Sequence, residues 1–227
     1  KLEGFSIDTR KLKSGEIFVA IKTDSNDGHN YLEKAKQNGA SAAIVEKQIP
    51  EIKLPQLVVQ NVVQALMDIA RLYRLEFEGT VIGITGSCGK TSTKDALALF
   101  MGSTITCKTE ANLNNKLGMS LTLLELDSST HEYAVVEVGV SELGEMEELV
   151  QILQPDSAIL TLIGEAHISG LGNLDSVAHE KYKLLESVKP EGFALFPFEC
   201  LEYTEFIHDV GSHWILCDQV YKSRTKD

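Results

Sequence analysis

The sequence is poor in the features that mark secreted, membrane-spanning and nucleic-acid-binding proteins. Its four cysteines lie far apart without metal-ligand spacing, so we expect reduced thiols and a cytoplasmic protein. No apolar run approaches the length that spans a membrane, and the first residues lack a cationic-then-apolar leader pattern, so we expect no membrane partner. Acidic residues number 33 against 21 basic ones, and the net charge of −12 argues against a nucleic-acid partner. An anionic ligand would therefore need a local binding device.

The apolar pattern divides the chain into two predicted domains that meet at Glu78-Gly79. Residues 1–78 form a small predicted domain with short apolar strands at 17–21, 42–45 and 57–59. Residues 79–227 form a second predicted domain, whose strands after the first are expected at 104–107, 133–138, 158–163 and 193–196. Helical patterns separate the strands. Such alternation predicts an α/β fold with mostly parallel sheets, in which ligands gather at the carboxyl ends of the strands.

A glycine-rich turn follows the apolar run that begins at Val81 and opens a helix with Gly-Lys-Thr. Glycines let backbone N–H groups converge on an anion, and a helix N-terminus adds its dipole. Lys90 is then expected to reach the β- and γ-phosphates, and the Thr91 hydroxyl to hold Mg²⁺. Ile84 stands where the common motif has glycine, and a plain glycine-rich turn is the alternative. The predicted nucleotide-binding residues are Gly86, Ser87, Cys88, Gly89, Lys90, Thr91 and Ser92.

Two polar residues follow predicted strands of the second domain. Glu137 closes the apolar run 133–136, at a position where a phosphate loop needs a Mg²⁺ ligand. An exposed strand-end glutamate is the alternative. His167 follows the apolar run 159–163 after a short turn, where both a metal ligand and a structural histidine are compatible with the pattern.

Two further sets of polar residues are ambiguous when judged from the sequence alone. Asn112, Asn114 and Asn115 precede a predicted helix, where their amides suit either a phosphate or sugar contact or an ordinary turn. Lys181 lies in a stretch of charged residues on a predicted helix, and its neighbours alone predict a solvated surface lysine.

Taken together, these motifs resemble the Mur ligases, the ATP-dependent amide-forming enzymes of bacterial cell-wall synthesis. The segment 85–92 is similar to the phosphate loop of that family, which accounts for the unusual glycine spacing. The stretches 8–20 and 27–29 resemble the domain that holds the UDP part of the substrate, which implies that Thr9, Arg10 and His29 contact it. The segment 112–118 resembles a substrate-side loop, which implies substrate contacts for its three asparagines.

The resemblance also implies a catalytic centre with two Mg²⁺ ions and ATP. Thr91 and Glu137 would hold one ion, while His167 and a carbamylated Lys181 would hold the other. Lys90 would neutralise the phosphoryl group in transfer, so that Lys90, His167 and Lys181 are the expected catalytic residues. One departure is that the polar residue usual before Ile-Gly in the family is replaced by Leu162.

Within the family, the chain resembles most the branch that adds D-alanyl-D-alanine. Ala166, the residue before His167, stands where the branches that add single amino acids tend to have aspartate. Such an enzyme activates the carboxylate of UDP-N-acetylmuramoyl-tripeptide as an acyl phosphate, and the dipeptide amine then displaces the phosphate. The family has three domains, so we expect the chain to be the N-terminal and part of the central domain of a longer protein, and a monomer. The alternatives are a sister ligase that adds a diamino acid, another superfamily ligase such as folylpolyglutamate synthetase, and a nucleotide-regulated binding module.

Overall fold

The computed structural model describes residues 3–111, 113–208 and 214–216. The chain forms two units, Lys1–Tyr73 and Arg74–Asp227. The division lies shortly before the Glu78-Gly79 boundary expected from the sequence, and the functional assignment of the two domains stays a prediction. Among the described helices, none combines the length and the apolar character that a membrane crossing requires.

The first unit contains a four-stranded parallel sheet whose strands lie in chain order. These strands are β1 (Phe5–Ser6), β2 (Ile17–Val19), β3 (Ala42–Val45) and β4 (Gln56–Val58). A 3-10 helix (Gly28–Tyr31) and α1 (Leu32–Gln37) connect β2 to β3, and α2 (Val62–Glu76) follows β4. Asn61 caps α2, as its position predicts, because its Oδ1 accepts a hydrogen bond from the Gln64 N–H at 2.9 Å.

The second unit contains a six-stranded parallel sheet with the strand order β10-β9-β8-β5-β7-β6. The strands are β5 (Thr80–Thr85), β6 (Thr106–Lys108), β7 (Tyr133–Glu137), β8 (Ser157–Leu160), β9 (Ala194–Phe196) and β10 (Trp214–Leu216). The parallel α/β architecture predicted from the alternation of strands and helices is therefore confirmed. Several strands are shorter than their apolar runs, because the chain leaves the sheet before the run ends; the run at 158–163, for example, leaves it after Leu160.

Helices connect these strands in the way that parallel pairing requires. They are α3 (Lys90–Met101), α4 (Lys116–Leu124), α5 (Glu145–Leu153), α6 (Ile168–Leu171), α7 (Leu174–Glu186) and α8 (Thr204–His208). A 3-10 helix (Phe198–Glu202) precedes α8. The helix predicted after the glycine-rich turn is α3, in which Gly89 is the N-cap and Lys90 already belongs to the first turn.

The strand order places a topological switch point at β5. From β5 the chain runs to β6 and β7 on one side of the sheet, and then returns to β8 on the other side. In open parallel sheets the carboxyl ends of the strands on either side of such a point enclose a crevice where ligands bind. The glycine-rich loop follows β5 directly, and Glu137 ends the neighbouring strand β7, so both lie at this crevice.

Candidate functional site

The loop between β5 and α3 has the backbone that only glycine adopts easily. Gly86 has a φ of 147° and Gly89 a φ of 83°. A side chain at Gly86 would also run into the hydroxyl of Thr161. The ammonium of Lys90 folds back over the loop and donates a hydrogen bond to the Gly86 carbonyl at 2.7 Å. An anion bound at this loop would therefore meet the backbone N–H groups at the start of α3 and the Lys90 ammonium.

A second segment, which follows β8, fastens the glycine-rich loop. The Thr161 hydroxyl lies 2.5 Å from the Cys88 carbonyl and 3.2 Å from the Thr85 carbonyl. Ser87 exchanges hydrogen bonds with the backbone of Gly164 at 2.9 Å in both directions, and its N–H donates to the Leu162 carbonyl at 2.8 Å. Thr161 was missed by the sequence reasoning, although a hydroxyl at a strand end beside a glycine loop is a usable signal.

Glu137 lies at the centre of a small polar cluster beside the loop. The residue is 1% exposed, and Ile84 is its partner on β5 in the parallel register. The Thr91 hydroxyl donates to Glu137 Oε2 at 2.8 Å, and Asn114 Nδ2 donates to Oε1 at 2.8 Å. The exposed strand-end glutamate considered above is therefore wrong.

The donors of this cluster fit a hard divalent cation. Among the described residues, the Glu137 carboxylate forms no salt bridge and accepts hydrogen bonds from two neutral donors, Thr91 and Asn114. Burying a carboxylate without a compensating cation is costly. A Mg²⁺ ion would take the oxygens of Thr91 and Glu137, which are ligands of the kind it prefers, and would compensate that charge.

The three asparagines of the predicted substrate loop have different positions. Asn114 contacts Glu137, as described above. Asn115 caps α4, because its Oδ1 accepts a hydrogen bond from the Gly118 N–H at 2.9 Å, which is the turn chemistry that the sequence left open. Asn112 lies outside the described residues.

Lys181 is buried within α7, and the solvated surface lysine predicted from its neighbours is wrong. Its side chain is 2% exposed. The pKa of Lys181 is lowered from 10.5 to about 8, first by burial and then by the positive charge of Lys90, while the negative charge of Glu180 opposes both effects. The helical spacing contained the correct signal, because Val177 and Leu184 lie one turn before and one turn after Lys181 on the same buried face.

His167 lies directly before α6 with a φ of 61° and an exposed ring. Within the described residues, no hydrogen bond or ion pair joins its ring to Lys181 or Glu137. Its backbone carbonyl accepts the N–H groups of Gly170 and Leu171 and so starts the short helix. The structure therefore brings Thr91, Glu137 and Asn114 into contact and places Lys181 within the electrostatic reach of Lys90, whereas His167 joins neither group.

The predicted UDP-contacting residues of the first unit divide into one exposed side chain and two buried ones. Arg10 extends into solvent and pairs with Asp8 at 2.7 Å, and its hydrogen bond lowers the pKa of Asp8 to about 2. Thr9 is buried and fixed through its carbonyl, which accepts a hydrogen bond from Asn38 at 2.6 Å.

His29 is occupied by contacts within the first unit. Its Nδ1 lies 2.7 Å from the Asp27 carboxylate, and its Nε2 accepts the Glu46 N–H at 2.9 Å. Accepting from a backbone N–H requires an unprotonated Nε2, so the ring is neutral and its proton is on Nδ1. Both nitrogens are thus engaged: Nδ1 within the turn before α1, and Nε2 in linking that turn to the residue after β3.

The fold and the site of the second unit define a P-loop α/β protein: a parallel sheet, a glycine-rich loop after its central strand, and a buried carboxylate beside the loop hydroxyl. The model of the Mur ligase middle domain matches residues 84–216, and that of the Mur ligase family catalytic domain matches residues 1–74. The chain belongs to the Mur ligase family.

Relatives at about one third identity match nearly the whole chain. The UDP-N-acetylmuramoyl-tripeptide--D-alanyl-D-alanine ligase of Bacillus subtilis is 35% identical over 86% of this chain and 43% of its own length. The crystal structure of MurF from Acinetobacter baumannii has a TM-score of 0.80 at 34% identity and matches 88% of this chain and 46% of its own. The MurF ligase of Thermotoga maritima, solved in complex with ADP, has a TM-score of 0.80 at 29% identity, and the match covers 95% of this chain and 49% of that one. The chain thus spans about half the length of these relatives.

Proposed function

We propose that the protein is the ATP-dependent ligase that joins D-alanyl-D-alanine to UDP-N-acetylmuramoyl-tripeptide. Carboxylate and amine do not condense unaided at neutral pH, so the tripeptide carboxylate would first attack the γ-phosphate of ATP and release ADP. The dipeptide amine would then attack the acyl phosphate and release phosphate. The relatives whose names state this activity support the choice of substrates.

The observation that carries the phosphoryl-transfer chemistry is the contact between Thr91 and Glu137 beside the glycine-rich loop. Lys90 would leave the Gly86 carbonyl to bind the β- and γ-phosphates, and its charge would stabilise the transferring group. Thr91 and Glu137 would hold a Mg²⁺ ion, with Asn114 fixing the second carboxylate oxygen. When bound, the ion neutralises phosphate charge.

Lys181 and His167 would hold the second Mg²⁺ ion of the site. The lowered pKa of Lys181 makes a neutral amine accessible near pH 8. Its nitrogen would attack the carbon of CO₂ and lose a proton, which turns a buried cation into an anionic oxygen ligand suited to Mg²⁺. His167, whose ring is exposed directly before α6, would be the other protein ligand of this Mg²⁺ ion.

The first 78 residues would hold the UDP end of the substrate. Arg10 offers an exposed guanidinium, which suits a diphosphate. Thr9 and His29 would act by shaping the surrounding loops, because the Thr9 carbonyl and both His29 ring nitrogens already have partners within the unit. Asn115 would likewise act through the cap of α4, and Asn112 remains a predicted contact.

The experiment is an assay of ADP release by the protein expressed from its full gene, with UDP-N-acetylmuramoyl-tripeptide as acceptor. We expect turnover with D-alanyl-D-alanine and none with single amino acids. The Lys90→Ala variant should lose at least about 100-fold in kcat, because it removes a charge aimed at the moving phosphoryl group. The exposed lysine of β6 provides the matched control, Lys108→Ala, which should retain its activity.

Four results would contradict the proposal, and the first three each indicate another function. Turnover with a diamino acid in place of the dipeptide would indicate the sister branch. Turnover with a folate and glutamate would indicate folylpolyglutamate synthetase. ATP hydrolysis that is indifferent to UDP-muramoyl peptides would indicate a nucleotide-regulated module. Full activity of Lys90→Ala would show that the glycine-rich loop is not the ATP site.

A further inference from the structure

A second lysine of α3, Lys94, lies one helical turn after Lys90 and is buried. Its side chain is 2% exposed, and its ammonium donates to the Thr109 carbonyl at 2.7 Å and to the Ala111 carbonyl at 3.3 Å. Asp95 is 3.7 Å away but half exposed, and Lys108 binds the same carboxylate more closely. The buried charge is therefore met mainly by two backbone carbonyls.

Burial of an ammonium in this way is expensive, because desolvation of an ion costs several kcal/mol. An apolar side chain of similar length would fill the same space without that cost. Solvation of a helix surface does not explain why a lysine stands at this position either, because the Lys94 side chain is buried. What Lys94 provides, and an apolar residue would not, is a pair of hydrogen bonds to the backbone that follows β6.

The backbone segment that follows β6 carries two residues that form hydrogen bonds with Glu137. Thr109, whose carbonyl binds Lys94, is fully buried, and its hydroxyl accepts the Glu137 N–H at 2.9 Å. Further along, Asn114 donates from its side chain to Glu137 Oε1, and its carbonyl accepts the Gly139 N–H at 2.8 Å. Glu137 is thus held at its backbone by Thr109 and at its carboxylate by Asn114.

We propose that Lys94 is a positioning residue that, by holding the Thr109 and Ala111 carbonyls, keeps Thr109 and Asn114 in place to aim the Glu137 carboxylate at a divalent cation. The inference rests on the proposed function, because it assumes that Glu137 is a metal ligand. Groups that orient a ligand in this way typically change metal affinity 10- to 100-fold when they are replaced. Loss of Lys94 should therefore weaken metal binding more than nucleotide binding.

The test measures Mn²⁺ affinity of the 227-residue chain with ADP by electron paramagnetic resonance, and ADP affinity without metal by calorimetry. Mn²⁺ is the probe because it shares the oxygen ligands of Mg²⁺. In Lys94→Met we expect Mn²⁺ to bind about 10- to 100-fold more weakly, with metal-free ADP affinity within about twofold of wild type. Lys108→Met removes the exposed lysine that forms an ion pair with Asp95, and it should leave the Mn²⁺ and ADP affinities unchanged.

Equal losses of metal and nucleotide affinity in Lys94→Met, or a folded variant with unchanged Mn²⁺ affinity, would overturn the proposal. If Lys94→Met does not fold, Thr109→Val decides, because it keeps the carbonyl that Lys94 binds and removes only the hydroxyl contact to Glu137. The metal-selective loss should appear there too, and its absence would overturn the proposal.

Failure of the wild-type chain to bind Mn²⁺ or ADP would count against the proposed function and not against the positioning role. In that case the Asn114 side-chain amide serves as the readout in nuclear magnetic resonance (NMR) experiments on the ligand-free chain. We expect its protons to exchange slowly in wild type and rapidly in Lys94→Met. Equal exchange in the two proteins would overturn the positioning role.

Discussion

Lys181 gives the sharpest test of the site, because its titration can be measured without any ligand. Burial and, to a smaller extent, the charge of Lys90 together lower its pKa from 10.5 to about 8, against the opposing charge of Glu180. We expect Lys90→Met to raise the pKa of Lys181 while leaving it below 10.5, since burial is the larger cause. Glu180→Gln should lower it, because the Glu180 charge favours the ammonium.

The same pKa difference sets a pH dependence of stability. Each pKa unit corresponds to about 1.4 kcal/mol, so the buried ammonium costs the folded state about 3 kcal/mol below pH 8. Between pH 8 and pH 10.5 the unfolded chain binds this proton and the folded chain does not. Stability therefore rises with pH across that window, by up to about 1.4 kcal/mol per pH unit, and the penalty is absent above it.

The assay uses lysine labelled with ¹³C at Cε in buffer free of carbon dioxide. The Lys181 signal is assigned by its absence in Lys181→Met, and we expect its midpoint near pH 8. In urea unfolding followed at amides of the second unit, wild type should gain about 3 kcal/mol over Lys181→Met between pH 8 and pH 10.5. The half-exposed Lys116 provides the control, because Lys116→Met shows how the loss of a surface lysine changes the free energy of unfolding over the same pH range.

A midpoint near 10.5, or a stability difference that is flat across this window, would refute the reasoning. Addition of ¹³C-bicarbonate then tests the carbamate. The neutral amine should give a carbamate carbonyl signal in wild type that Lys181→Met and Lys181→Arg both lack. A signal that persists in Lys181→Met would belong to another amine.

Two further predictions concern the glycine-rich loop and the first unit. In a Cys217→Ser background, N-ethylmaleimide should modify the exposed Cys88 first, because Cys107 is buried and its pKa is raised to about 12. Bound ADP should slow the modification of Cys88. Modification at the same rate with and without ADP would place the nucleotide elsewhere. His29→Ala should lower the free energy of unfolding by about 1 kcal/mol, because it removes the hydrogen bond that the Glu46 N–H donates to the buried His29 ring. Arg10→Ala should weaken only the binding of UDP-muramoyl peptide in titration calorimetry. The reverse pattern would contradict the roles assigned to the two residues.

Much of the site could be predicted from the sequence where the chemistry is local. Gly86 and Gly89 supply backbone that other residues resist, and Lys90 and Thr91 follow them at the start of a helix, so four neighbouring residues carry the whole signal. Glu137 could be placed because a parallel sheet brings the carboxyl ends of its strands to one edge, and the register of β7 against β5 bears this out. The roles of these residues in binding ATP and Mg²⁺ stay predictions.

Other features were decided by contacts between segments far apart in the chain. Thr161 reaches the loop carbonyls across 73 and 76 positions, and Lys94 reaches Thr109 across 15, distances at which local pattern has no influence. Lys181 shows the same division within one residue. The charged residues next to it in the sequence predicted a surface lysine, and only the apolar residues one helical turn away indicated the buried face, while its lowered pKa comes from the desolvation that packing imposes and from a lysine on another helix.

The sequence by itself therefore determined the parallel α/β architecture, the phosphate loop and the family, because each depends on periodicity or on residues that stand side by side. The tertiary structure alone decided which polar side chains face the site and which support the fold. His29 and Asn115 serve as internal hydrogen-bond partners, whereas Asn114, a direct neighbour of Asn115, contacts Glu137. The physical reason is that a side chain's role depends on which donors and acceptors the folded chain brings within about 3 Å of it.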